Sequence, residues 1–116
     1  MKPTTDVVAV ADGGNGLREA LMAQFPNLTF ILDRAHVKQH LYATAEAMGL
    51  TDCQRHGWVK QQMDLVECGC VQQVIATLTD YQGTGRTRVE NLRQYLERFS
   101  DAVDYQRFRA AGFPVG

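Results

Sequence analysis

VVAVADGGNGLREALMAQFPNLTFILD, Val7 to Asp33, holds two apolar runs that each stop on an aspartate, with one amphipathic stretch between them. Val7, Val8, Ala9, Val10 and Ala11 form a short, continuously apolar run, the pattern of a strand covered on both faces, so the expectation is a central parallel strand. GLREALMAQF then places Leu17, Ala20, Leu21 and Phe25 at helical spacing, with Arg18, Glu19 and Gln24 turned away. Pro26 and Asn27 end that helix. LTFILD, Leu28 to Asp33, repeats the opening pattern. A strand–helix–strand crossover of this length joins parallel neighbours with a right-handed connection, which sets Asp12 and Asp33 side by side at the carboxyl edge of one sheet.

Beyond Asp33 the strand signals stop. Arg34 to Met48 reads as a helix with Val37, Leu41 and Ala45 on one stripe and Gly49 as its stop. Further helices are expected from about Asp52 to Val66, Val71 to Tyr81 and Thr87 to Phe99. YQGTGRT, Tyr81 to Thr87, is the clearest loop. The class is α/β, with a small parallel core followed by a mainly helical region.

Composition narrows the function classes. At 116 residues the chain is one domain or a piece of one. Its 12 Lys plus Arg against 13 Asp plus Glu leave no overall positive field to draw it to nucleic acid, so any contact with DNA has to be local. The three cysteines are an odd number and MKPTTD has no apolar stretch of the kind a signal peptide needs, so a soluble cytoplasmic protein is expected. No window approaches the roughly 18 consecutive apolar residues of a membrane span.

Three groups of residues carry possible chemistry. Asp12, at the end of a parallel strand and before small residues, suits a Mg²⁺ ligand facing phosphate oxygens, and equally a D-G turn former. The DGGNG loop lacks both the Walker lysine and dinucleotide-binding spacing, which argues against nucleotide binding. Asp33, His36 and His40 in DRAHVKQH are ligand types at helical spacing, while Asp33 also suits a helix cap. Cys53, His56, Cys68 and Cys70 contain enough ligands for zinc, but C-x-C is cramped, and cysteine is often a small buried hydrophobe. The aromatics Tyr42, Trp58, Tyr95 and Tyr105 read as core or interface residues.

Two ordered stretches resemble one family. VVAVADGGNGLREALMAQFPNLTFILDRAHVKQHLYATAEAMGL is similar to the middle of a DDE-type insertion-sequence transposase, where a strand ends on a catalytic aspartate and a second ends in I-L-D-x-x-H. ENLRQYLERFSDAVDYQRFRAAGFPVG resembles the family's segment N…Y…R-M-x-Y…R…G-L-P-I-G, which leads into S-G-x-x-E. The resemblance implies a partial RNase-H-like core over residues 1–50, a helical insertion over 51–102, and over 103–116 a segment leading to a final catalytic helix. It implies Asp12 as the second acid of the Asp-Asp-Glu triad and a Mg²⁺ ligand, with Asp33 and His36 as active-site support. Departures are Gly14, Asn15 and Gly16, where members often carry an aromatic, and Ala35, where a bulky residue is usual.

On the same resemblance the first acid belongs well upstream of Val7 and the glutamate beyond Gly116, so the expectation is a fragment with one triad acid of three. Two-metal phosphoryl displacement needs several carboxylates, and this polypeptide alone is expected to be inactive. The implied partners are transposon-end DNA in the intact protein and, as a further option, the full-length transposase, with oligomerisation an option through the open edges of Val7–Ala11. The runner-up is a non-catalytic module that binds an intact transposase or DNA through Arg86, Arg88 and Arg93. A more distant option is a small Mg²⁺-dependent phosphotransfer domain, for which Asp33 is the only candidate second acid.

Overall fold

The computed structural model describes residues 7–14 and 16–114. Strands β1 (Val7–Ala11) and β2 (Leu28–Leu32) are joined by helix α1 (Leu17–Gln24) and pair in parallel. The register runs from Val7 opposite Leu28 to Ala11 opposite Leu32, and the Asp33 amide extends the ladder by donating to the Ala11 carbonyl at 2.7 Å. Asp12 and Asp33 therefore leave the sheet together at its carboxyl edge, as the crossover rule requires.

The two strands differ in burial. Leu28, Phe30, Ile31 and Leu32 are buried, whereas every residue of β1 is half-buried. Among the described residues β1 has β2 as its single neighbour, so its other edge lies open, as expected of a strand suited to a central position but lacking its flanking strands. An apolar run records that a strand suits a covered position, and leaves open what supplies the cover.

Helix α1 departs from its pattern. Ala20 and Phe25, expected on the covered stripe, are exposed, as is Met22. Arg18, expected to face away, instead lays its guanidinium 5.8 Å from the Phe30 ring centre and 5.7 Å from that of Phe99, and forms an ion pair with Asp101. Arg98 returns the link by pairing with Glu19 at 2.9 Å. With no element packed over the Met22 and Phe25 side among the described residues, α1 is held by Leu21 packing against the core, by the ion pairs and by the Arg18 guanidinium over the two rings.

The rest is helical. Helix α2 (Arg34–Ala47) starts on Asp33, whose Oδ1 accepts from the Ala35 amide at 3.1 Å, and its stripe of Val37, Leu41 and Ala45 is fully buried. Helix α3 (Asp52–Glu67) opens with a capping box, in which the Thr51 amide donates to Gln54 Oε1 at 3.0 Å and the Gln54 amide donates back to Thr51 Oγ1. Helices α4 (Val71–Thr79) and α5 (Arg86–Arg98) follow, then a 3₁₀ turn (Ser100–Val103) and α6 (Tyr105–Ala110). The expected loop from Tyr81 falls between α4 and α5.

One hydrophobic cluster runs from β2 through α2, α3, α4 and α5 to Phe108 of α6. Each fully buried aliphatic side chain in it contributes about 1.5–3 kcal/mol of transfer free energy. Helix α2 packs against α3 and α5, and the 3₁₀ turn packs against β2. The helical region thus forms the support on which the carboxyl edge of the sheet rests. No helix among the described residues is long and apolar enough to cross a membrane.

Candidate functional site

Asp12 leaves β1 at the rim of a shallow hollow of about 350 Å³, lined by Asp12, Gly13, Gly14, His36, His40 and Tyr95. Its Oδ1 accepts from the Gly14 amide at 3.0 Å, the geometry of a D-G turn. Its Oδ2 lies 3.6 Å from His36 Nε2, and the carboxylate is half exposed. The turn-former and ligand readings of Asp12 are therefore compatible, because each uses a different oxygen.

His36 connects the two aspartates. Its Nδ1 lies 3.0 Å from Asp33 Oδ2, and its Nε2 faces Asp12. Asp33 spends Oδ1 on the α2 cap and Oδ2 on the imidazole. With an ionised Asp33 accepting, the neutral ring carries its proton on Nδ1 and turns an unprotonated Nε2 to the hollow; a protonated ring presents Nε2–H to Asp12. Asp33 thus acts through His36 and does not converge with Asp12 on one point.

The far wall is aromatic. His40, one turn beyond His36, packs against Tyr95 of α5 with ring centres 4.2 Å apart and the rings tilted by 34°, and Tyr95 in turn contacts Phe99 at 5.4 Å. Burial, then the neighbouring Arg88 and His36, lowers the His40 pKa from its ordinary value, against a smaller opposing pull from Asp12. Burial, helped by the charges of Asp12 and Asp33, pushes the Tyr95 hydroxyl up to about 12. That hydroxyl is buried and makes no hydrogen bond among the described residues.

Gly13 is small for a reason internal to the protein. A Cβ there would sit 2.7 Å from Phe99 Cε2 and 2.9 Å from Tyr95 Cε1, so the backbone after Asp12 passes directly against the α5 aromatics. At Gly14 a Cβ would meet only Asp12 Oδ1, at 3.2 Å. Beneath the site the buried Tyr105 hydroxyl donates to the Leu32 carbonyl at 2.7 Å. Nothing in residue spacing marks Tyr105 or Tyr95 for these roles; their place is set by packing between segments far apart in sequence.

The arginines divide. Arg93 is bound by Glu90, with Nε donating at 2.9 Å, and by Glu97 at 2.7 Å, spacings of three and four residues that are visible in the sequence. These bonds raise the Arg93 pKa and lower that of Glu90. Arg86 and Arg88 are exposed, and Arg88 borders a small hollow with Gln39, His40 and Ala43, next to the Asp12 hollow. Arg88 thus brings a positive charge next to His40 at the edge of the site.

Mg²⁺ takes oxygen ligands in near-octahedral geometry, and usually retains several waters when a protein supplies one or two carboxylates. Here Asp12 supplies one, and no group of three His, Cys, Asp or Glu side chains able to hold a metal occurs among the described residues. A single half-exposed carboxylate would leave any Mg²⁺ held there mostly hydrated. A shared zinc site is excluded by distance, because Cys53 and His56 lie near the start of α3 and Cys68 and Cys70 just beyond its end, about 20 Å away. His56 Nδ1 instead meets the Tyr42 hydroxyl at 2.7 Å. Comparison with protein-family models, characterised proteins and solved structures found no match for this chain.

Proposed function

We propose that the chain is the central part of a DDE-type transposase catalytic core of RNase-H-like fold, with Asp12 as the second triad acid, Mg²⁺ as its ion and transposon-end DNA as the substrate of the intact enzyme. The observation that carries this reading is the placing of Asp12 and Asp33 at one carboxyl edge of a parallel pair, with His36 between them. The D-x-x-H spacing has a physical role in this arrangement: Asp33 caps the helix and orients the imidazole toward Asp12. Arg88 and the Tyr95 wall offer a charge and an aromatic face beside the acid, where a phosphodiester strand would pass.

The phosphotransfer alternative fares worse, because both Asp33 oxygens are already engaged. The arginine-surface alternative loses Arg93 to its two glutamates. With one triad acid in the 116 residues, the proposal assigns catalysis to an assembly in which the other two carboxylates are supplied. The nucleotide sequence on either side of the coding region tests it. An upstream strand ending in aspartate and a downstream S-G-x-x-E helix, in frame or interrupted, are expected; flanks that encode neither would overturn the proposal.

A further inference from the structure

Helix α3 ends in a Schellman turn made by Cys68, Gly69 and Cys70. The Gly69 amide donates to the Val66 carbonyl at 3.2 Å and the Cys70 amide to the Leu65 carbonyl at 2.8 Å, the paired bonds that define the motif. Gly69 has φ of +81°, the left-handed conformation the turn needs. This reversal brings the side chains on either side of Gly69 together, and the two sulfurs lie 3.1 Å apart. Both thiols are free, with Cys68 exposed and Cys70 half-buried. A disulfide bond is about 2.05 Å long, so the sulfurs need to approach by only about 1 Å.

The geometry points to Cys68–Gly69–Cys70 as a dithiol site that closes to an intramolecular disulfide by exchange with a small disulfide of the glutathione class. Cys68 attacks first: its thiolate displaces one thiolate from the oxidant and forms a mixed disulfide. The Cys70 thiolate then attacks the Cys68 sulfur and expels the second thiol. Two cysteine protons pass to the two leaving thiolates, the oxidant is reduced to two thiols, and the cysteines become one disulfide. The order follows exposure, and is reinforced because hydrogen bonding to Cys68, with a smaller contribution from burial, raises the Cys70 pKa. Cys53, near the start of α3, takes no part.

Incubation of the whole chain with oxidised glutathione, removal of the reagent and peptide mapping test the assignment. The expected product carries a Cys68–Cys70 link, its peptide lighter by about two mass units, with the exposed Cys53 outside the link whether as thiol or as glutathione adduct. Cys70→Ser is expected to stop at a glutathione adduct on Cys68. Gly69→Ala, which strains the left-handed turn, is expected to slow closure by about five-fold or more. Unmodified Cys68 and Cys70, a persistent glutathione adduct on either of them in the wild-type chain, or links from them to another chain would overturn the assignment. So would closure at an unchanged rate in Gly69→Ala.

Discussion

The Tyr105 hydroxyl donates to the Leu32 carbonyl across 73 residues of sequence, tying α6 to the last residue of β2. Leu32 precedes Asp33, so this buried bond fixes the strand end from which the α2 cap and the His36 contact begin. Tyr105→Phe keeps the ring and leaves the carbonyl without this donor. A loss of about 1–3 kcal/mol in unfolding free energy is expected, read from urea titration at neutral pH.

The same side chain gives an alkaline signature. Burial raises the Tyr105 pKa, with Tyr95 the next contributor, so the folded state favours the neutral phenol more than the unfolded chain does. That contribution is full below the unfolded value near 10 and is lost as pH rises beyond it. Tyr95, pushed up to about 12, acts in the same direction between about 10 and 12. Unfolding free energy measured from pH 8 to 11 is expected to be flat and then to fall, with a shallower fall in Tyr105→Phe.

His40 sets an acid signature of opposite sense. Burial lowers its pKa, so the unfolded chain binds this proton more readily than the folded one. The contribution is full above the unfolded value near 6.5 and is lost as pH falls through the lower folded value. His40→Phe retains an aromatic partner for Tyr95 and removes the titrating group. Urea titrations from pH 7 down to 5 are expected to show a smaller decline in the variant; an equal decline would assign the effect elsewhere.

Gly13 and Gly14 are adjacent and chemically identical, yet their surroundings predict opposite tolerance. Gly13→Ala forces a methyl group into Phe99 and Tyr95, with an expected cost of about 1–3 kcal/mol. Gly14→Ala needs only a small shift of the Asp12 carboxylate. Melting curves of the two variants check this, and equal losses would contradict the close passage of the Gly13 backbone against α5.

The sequence made some of these relationships legible and concealed others. Val37, Leu41 and Ala45 were readable as a buried stripe because a helix imposes its period locally, and the neighbouring placement of Asp12 and Asp33 followed from the handedness of a crossover. The inward turn of Arg18 was hidden, because a guanidinium can lie over aromatic rings and still satisfy its charge on Asp101. The open edge of β1 was expected only through the resemblance: an apolar run by itself specifies what a strand can tolerate, and the neighbours decide what it receives. Tyr95 and Tyr105 reach the site through α5 and α6, and contacts over such separations leave no periodic trace.

Asp12 is the carboxylate on which the proposed chemistry depends, and its oxygens make separable predictions. Oδ1 serves the turn through Gly14, whereas Oδ2 faces His36 and the hollow. Asp12→Asn retains a carbonyl oxygen able to accept from the Gly14 amide but removes the charge that would hold a hydrated cation. Weak Mn²⁺ binding, followed by paramagnetic broadening of resonances around His36 and Gly14, is expected in the wild-type chain and lost in Asp12→Asn with little change in melting temperature. One carboxylate does not bridge the two ions of an in-line phosphoryl displacement. Purified chain incubated with Mg²⁺ or Mn²⁺ and transposon-end DNA is accordingly expected to leave the strands intact. Nicking that Asp12→Asn abolishes would show that the chain assembles a complete metal centre by itself, contrary to the proposal.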